Sequence, residues 1–348
     1  MHQSLTPKIG YLLVLVVALV APFMMYPVFL MKILCFALFA CAFNLLIGFT
    51  GLLSFGHAAF FGGAGYIAGY ALKNLGVTAE IGLLMGTAVA ALIGLVMGLL
   101  AIRRQGIYFT MITLALAQML FFAFLQAPFT GGEDGLQGVP RGKLFGLIEL
   151  GNDLLLYYVV LAIAVAGFAL IVRVVHSPFG QVLKAVKENE PRAISLGYDT
   201  DRYKLLAFVL SAALSGLAGA TKTLVLGFET LTDVHWSMSG LVVLMTLVGG
   251  LGTLAGPIVG AVLIIALENR LGDVGTWLAG ATGVEWFNTI GESVTIVTGL
   301  IFIICVLAFR RGIVGELLAL ARLRGAAPAT AKPAVAAPAA AGVAEAVS

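Results

Sequence analysis

The chain has 348 residues, of which 61% are apolar and only 11% carry a charge, and its net charge is +3. A soluble protein carries roughly 25% charged and about 45–50% apolar residues, so this composition leaves too little polar surface to cover a globule in water. It excludes most soluble enzymes, disordered proteins and nucleic-acid binders, and it predicts a membrane protein. The three cysteines lie in apolar runs at spacings that match neither CxxC pairs nor zinc sites, so we expect no disulfide and no metal site.

Apolar runs long enough to cross a bilayer recur along the chain. A hydrocarbon core about 30 Å thick needs about 20 apolar residues in a helix. The runs predict an all-α polytopic membrane protein whose transmembrane domain covers residues 10–309. Its ten predicted spans lie near 10–30, 33–50, 55–72, 81–101, 108–126, 154–175, 203–226, 238–250, 255–271 and 290–309. The first run is longer than the roughly 7–15 apolar residues of a signal peptide, so we expect it to be a retained helix.

The positions of Lys and Arg predict the orientation. With ten spans, 14 of the 20 Lys and Arg residues fall on the side that holds both termini. Basic residues favour the cytoplasmic side, so both termini are predicted to be cytoplasmic. This places residues 1–9, the loop 176–202 and the tail 310–348 inside, and the loops 127–153 and 272–289 outside. From residue 325 onward the tail is Ala/Pro-rich, which is typical of a disordered segment.

Small residues recur at intervals of four in two spans. The fourth span carries Gly82, Gly86, Ala90, Gly94 and Gly98. The seventh span carries Ser211, Ser215 and Gly219, flanked by Ala212, Gly216 and Ala220. Helices gain little from hydrophobic association in lipid, and close backbone contact at such stripes holds them together instead. We therefore expect both helices to be buried in the bundle.

Two apolar segments are interrupted by glycine. Residues 48–69 hold seven glycines, and residues 249–260 hold a second glycine cluster with Pro257. In transporters, interrupted segments at corresponding positions of two halves indicate the translocation path. A weak alignment of the two clusters matches Gly51 with Gly252, which makes an internal repeat a hypothesis.

Polar side chains in or near these spans are candidates for lining a path, because polar groups inside a membrane usually face a cavity or a partner. They are Asn44, Ser54, His57, Thr113 and Gln118. Other interpretations stay open: His57 can be a structural pin, and threonines commonly bond back into their own helix. A Ser54–His57 nucleophile pair would lack both a third orienting group and a GxSxG turn.

Four charged residues lie near the predicted outer ends of spans: Lys222, Glu229, Glu268 and Arg270. We interpret them as interfacial charges that reach toward the membrane surface, with a gate as the alternative. The span centres hold no Asp, Glu, Lys or Arg. This argues against ion-driven transport, which normally needs such a group at depth.

The predicted cytoplasmic loop is the most informative stretch. Residues 181–190 have helical spacing, Pro191 favours a new helix start, and Gly197 is a fitting stop. Asp199 or Asp201 can cap the next span. The loop therefore predicts one or two short amphipathic helices. Its four basic and four acidic residues nearly cancel, which suits a groove on a protein partner better than anionic lipid.

The same loop carries a family resemblance. Its residues 185–193, AVKENEPRA, followed by Gly197, resemble the coupling loop of permease subunits of bacterial ABC importers, and more closely the LivM-type subunits of branched-chain amino acid importers. The stretches SFGHAAFFGGAGY at 54–66 and GGLGTLAGPIVGA at 249–261 resemble the same family. The general importer signature has Glu and Ala where this chain has Pro191 and Arg192, so the likeness is to the branched-chain subfamily.

The resemblance implies a multi-pass permease of the bacterial inner (plasma) membrane that imports branched-chain or related hydrophobic amino acids. It implies a second permease subunit in a heterodimer, two cytoplasmic ATPase subunits and an external substrate-binding protein as partners, and no nucleic acid. The residues expected to couple to the ATPase are Lys187, Glu188, Asn189, Pro191, Arg192, Ala193 and Gly197.

The chain is not expected to be an enzyme or to bind a cofactor. It has no G-x-x-x-x-G-K-[ST] phosphate loop, so ATP and Mg²⁺ are expected on the partner subunits. Urea, short amides and aromatic acids are alternative substrates within the same family. An ion-coupled secondary transporter and an intramembrane hydrolase that uses Ser54 and His57 are alternatives from other classes.

Overall fold

The computed structural model describes residues 15–146 and 148–282, and beyond these only residues 296, 299, 300, 303, 307 and 312–316. Within 271–282 it describes the backbone alone. The predicted N-terminal segment 1–9, most of the tenth span and nearly all of the tail lie outside the described residues.

Helices joined by short connections make up most of the described chain. The first half holds α1 (Pro27–Thr50), α2 (His57–Asn74), α3 (Ala79–Ala101) and α4 (Ile107–Gln126). A small antiparallel hairpin follows, formed by β1 (Lys143–Leu144) and β2 (Ile148–Glu149). The second half holds α5 (Asp153–His176), α6 (Pro178–Glu188), α7 (Glu190–Ser195), α8 (Thr200–Leu226), α9 (Leu231–Val234), α10 (Trp236–Gly249) and α11 (Gly256–Thr282).

Five of these helices are long and apolar enough to cross a membrane: α1, α3, α4, α5 and α8. This confirms the all-α polytopic class for the described residues. The count of ten spans, the orientation and the internal repeat stay predictions. We name the end of the bundle that carries α6 and α7 the inner end, and the end that carries the hairpin the outer end, after the predicted orientation.

Most helix boundaries lie within a few residues of the prediction, and three differ more. The predicted first span 10–30 is wrong at its end, because residues 24–26 are not helical and a new helix starts at Pro27. Helix α1 begins at Pro27 instead of residue 33, because proline is well suited to the first turn of a helix. Helix α11 continues to Thr282, so residues 272–282, predicted as part of an outer loop, are helical. No proline follows Pro257 in this helix to end it earlier.

Helix α8 lies at the centre of the bundle and packs against α1, α2 and α3. The two predicted small-residue stripes face each other across the α3–α8 contact. A methyl group added at Gly216 would overlap the side chain of Ala90, and one added at Gly94 would overlap Ala212. The two stripes are buried, and their mutual contact is the reason that glycine and alanine are needed there. The expectation that both helices are buried holds for α8, whereas α3 exposes its other faces.

The Gly216→Ala variant is expected to lower the free energy of unfolding by about 1–3 kcal/mol, the usual effect of inserting a methyl group into a packed core. Gly240→Ala is the matched control, because a methyl group at Gly240 on α10 would meet nothing within 4 Å. Thermal unfolding in detergent measures both. An equal loss of stability at the two positions would contradict the packing described here.

Candidate functional site

The two glycine-interrupted segments, distant in sequence, meet at the inner end. Asn44 on α1 joins them: its Nδ2 donates to the Thr253 carbonyl over 2.9 Å, and its Oδ1 accepts from the Gly252 N–H over 3.0 Å. Gly51 and Gly252, the pair matched by the weak alignment, share a left-handed φ of 77° and 73°. Glycine adopts this conformation at little cost. Many other glycines of the chain share this conformation, so the internal repeat stays a prediction.

The backbone of the connection 51–56 is bound by hydroxyl groups from two neighbouring helices. Thr113 Oγ1 on α4 accepts from the Phe55 N–H over 3.2 Å and donates to a carbonyl of its own helix. Ser239 Oγ on α10 donates to the Phe55 carbonyl over 2.8 Å and accepts from the Ala58 N–H over 2.9 Å. Ser239 was not among the predicted residues, although a hydroxyl in the short apolar run 238–250 is a signal for such a role.

His57 begins α2 and is fully buried. Its Nε2 lies 2.9 Å from Ser211 Oγ, and that hydroxyl donates to the Ala42 carbonyl over 2.6 Å. Because the Ser211 proton is used in that bond, Nε2 is the donor and carries the imidazole proton. Three rings pack edge-on around the imidazole: Phe43, Phe60 and Phe208. His57 thus joins α1, α2 and α8 as a structural pin.

The other predicted path residues have separate surroundings. The Ser54 hydroxyl is buried and accepts from the Gly56 N–H over 3.1 Å, so this structure does not pair it with His57 Nε2 as a nucleophile and base. Thr113 is also buried, whereas Gln118 on α4 is half-buried and its Oε1 has no hydrogen-bond partner in the described part of the chain. A path-lining role for these residues stays a prediction.

The predicted cytoplasmic loop forms the two short helices α6 and α7, which we call the inner helix pair. Each begins with a side-chain cap: Ser177 Oγ accepts from the Gly180 N–H, and Asn189 Oδ1 accepts from the Arg192 N–H. Helix α7 ends at Ser195, and Gly197 follows its C-cap residue Leu196 with a φ of 89°. The predicted stop at Gly197 is confirmed, because a left-handed glycine is a common helix terminator.

The inner helix pair is tied to the bundle at two points. Glu190 at the start of α7 forms a largely buried ion pair with Lys204 of α8. Lys187 at the end of α6 donates from Nζ to the Gly48 carbonyl in the last turn of α1, over 2.7 Å. The pair is therefore held on both α1 and α8.

The residues predicted to couple to a partner divide into two groups. Glu188, Pro191 and Arg192 are exposed and available for contact. Asn189 is exposed but its side chain caps α7, and Ala193 is buried with 2% of its surface accessible. Lys187 and Gly197 are also exposed, but the Lys187 ammonium group bonds to the Gly48 carbonyl and Gly197 has no side chain. Only the first group can offer its whole side chain to a partner.

Three apolar residues of the inner helix pair and its exit were missed by the sequence analysis. Ile194, Leu196 and Tyr198 are 55%, 69% and 41% exposed. They stand in an otherwise polar stretch, and we call these three exposed residues the apolar edge; their alternation with other residues from 194 to 198 is the signal that could have found them. An exposed apolar edge flanked by charges is typical of a surface that a protein partner covers.

Of the four charged residues predicted near the outer end, Lys222 and Glu229 are buried, whereas Glu268 and Arg270 are exposed. Lys222 of α8 pairs with Asp233, and its Nζ lies 3.6 Å from Glu229 Oε2. Thr223 Oγ1 donates to the same Glu229 oxygen over 2.5 Å. The interpretation of Lys222 and Glu229 as charges that reach the membrane surface is wrong, because the connection after α8 lies against Gly65 of α2 and takes these side chains inward.

The electrostatics of this outer cluster follow from its burial. Glu229 lies in the connection between α8 and α9, where burial raises the pKa of its carboxyl well above the usual range while Lys222 opposes the rise. Within the described residues, no group of three or more His, Cys, Asp or Glu could hold a metal ion. That the chain binds no cofactor stays a prediction.

Comparison with known proteins identifies the family. Residues 26–307 match the branched-chain amino acid transport system permease component family. The chain is 28% identical over 255 residues to the high-affinity branched-chain amino acid transport system permease protein LivM of Salmonella typhimurium and of Escherichia coli. The aligned stretch covers 66% of this chain and 60% of each relative. It is also 28% identical over 195 residues to the autoinducer 2 import system permease protein LsrC of Klebsiella pneumoniae, and this alignment covers 53% of each of the two chains.

The matched region spans about 60% of the length of the LivM relatives. No solved structure matches the chain. The family match covers most of the sequence and includes the apolar helices, both glycine-interrupted segments and the inner helix pair. The chain therefore belongs to the permease component family of branched-chain amino acid transport systems and is a multi-pass protein of the inner membrane.

Proposed function

We propose that this chain is the permease subunit of an ABC importer for branched-chain or related hydrophobic amino acids, energised by separate ATPase subunits. The observation that carries the proposal is the inner helix pair. It is anchored to α8 through Glu190 and to α1 through Lys187, and its apolar edge is exposed. A rigid, partly apolar projection is suited to insertion in a groove of a soluble partner.

ATP hydrolysis belongs on that partner. The sequence lacks the phosphate loop that holds ATP, so this subunit needs cytoplasmic ATPases, one for each permease of a heterodimer. In this arrangement Ile194, Leu196 and Tyr198 enter the ATPase groove, and Glu188 and Arg192 contact its rim. An external binding protein delivers the substrate at the outer end.

A second candidate is the import of a different small molecule. The relative named for autoinducer 2 import is as identical to this chain as the relatives named for branched-chain amino acids, although over a shorter stretch. Urea, short amides and aromatic acids also remain candidates. An ion-coupled transporter is less favoured, because the buried charges Lys222, Glu229 and Asp233 contact one another.

Reconstitution separates these functions. The chain is placed in proteoliposomes with a candidate second permease, candidate ATPases and an external binding protein. We expect binding protein loaded with leucine, isoleucine or valine to raise ATP turnover, and the same protein with urea or autoinducer 2 to leave it at the basal rate. Uptake by this chain without ATPases, or uptake that follows an ion gradient, would refute the proposal.

The apolar edge makes a further prediction about assembly. Leu196→Asp is expected to weaken ATPase association about 10–100-fold, because it places a charge in a contact that must lose its water. Leu75→Asp is the matched control, since Leu75 is 58% exposed at the outer end and Leu196 is 69% exposed at the inner end. Co-purification of the ATPase measures both. Normal retention of the ATPase by Leu196→Asp would show that this edge is not the docking surface.

A further inference from the structure

Three parts of the chain meet at one point of the inner end: α6, the last turn of α1, and the connection 250–255. Lys187 Nζ lies 2.7 Å from the Gly48 carbonyl oxygen. A Cβ atom placed on Gly252 would lie 3.3 Å from the same oxygen and 4.0 Å from Lys187 Nζ. Lys187 therefore binds the first glycine-interrupted segment directly, and its ammonium group lies beside the second segment at Gly252.

The position of Gly48 explains why a lysine is stable there. Its carbonyl is among the last four of α1, which have no partner within the helix. The carbonyl end of a helix carries a partial negative charge, so an ammonium group is favoured at this place. Lys187 supplies both the hydrogen bond and the charge.

The contact between the last turn of α1 and the connection 250–255, which we call the joint, is tightly packed. A Cβ atom on Gly48 would overlap the side-chain oxygen of Asn44 and would lie 3.0 Å from the Gly252 nitrogen. Asn44 in turn bonds to Gly252 and Thr253 through both ends of its amide. Because the backbones are in direct contact, a displacement of one segment at this joint also displaces the other.

We propose that Lys187 is a positioning residue that transmits the movement of the inner helix pair to both glycine-interrupted segments. The proposal rests on the proposed function, in which the movement originates in a docked ATPase. The family resemblance implied that Lys187 contacts the ATPase; the residue is exposed, but its ammonium group is bound by the Gly48 carbonyl of the permease itself. Loss of this group should therefore uncouple ATP hydrolysis from transport while the ATPase stays bound.

The first test needs no partner subunit. In a background without native cysteines, Leu254→Cys is reacted with a water-soluble maleimide, since Leu254 is a half-buried residue of the connection 250–255. Lys187→Met, which keeps most of the stem and removes the ammonium, is expected to raise the labelling rate on the order of tenfold, and Lys187→Arg to restore it. Arg202→Met is the control, because the Arg202 side chain is 84% exposed. An unchanged rate in Lys187→Met would overturn the proposal.

The second test uses the reconstituted importer. Lys187→Met is expected to retain the ATPase and to lower the ratio of substrate transported to ATP hydrolysed on the order of tenfold, with Lys187→Arg recovering most of the ratio. A normal ratio in Lys187→Met would overturn the proposal. Loss of the ATPase from this variant would also overturn it, because Lys187 would then belong to the docking surface.

The two tests distinguish the proposal from the proposed function on which it rests. A wild-type chain that recruits no ATPase would refute the proposed function, and the transmission with it. The maleimide rates would still show whether Lys187 closes the joint between α1 and the connection 250–255.

Discussion

Each break of a helix inside a membrane exposes backbone N–H and C=O groups that cost several kcal/mol unless the protein satisfies them. Among the described residues, the connections 51–56 and 250–255 interrupt the glycine-rich apolar segments, and scarce polar side chains lie at both interruptions. Thr113 and Ser239 bind the first connection, and Asn44 binds the second. The positions of these side chains follow from the need to satisfy the two breaks.

The need to satisfy these backbone groups also links separate helices at the inner end. The connections use partners on other elements, so α1, α4 and α10 become linked through side chains at the breaks. Close packing of the small residues on α3 and α8 fixes the helices around them. Lys187 joins the inner helix pair to these linked helices, so a force applied to that pair reaches α1 through the hydrogen bond between Lys187 and the Gly48 carbonyl.

Local patterns predicted what is local in this fold. Hydropathy predicted the long helices, glycine and alanine spacing predicted the α3 and α8 contact faces, and Gly197 predicted the end of α7. Pairing between distant segments has no local signal. The bond from His57 to Ser211 spans 154 positions, and the inward direction of Lys187 depends on the end of α1, which lies 139 positions earlier. The burial of Lys222 likewise depends on the path that the chain takes after α8.

The central claim is that the inner helix pair and the connection 250–255 move as one body. Spin labels at Ala185→Cys on α6 and at Leu251→Cys, both exposed positions, report the distance between them by pulsed electron paramagnetic resonance. The measurement is made in an assembled importer that turns over ATP, without nucleotide and with ATP bound. A distance distribution that is the same in both states is the predicted result, and a distribution that shifts between them would contradict the account.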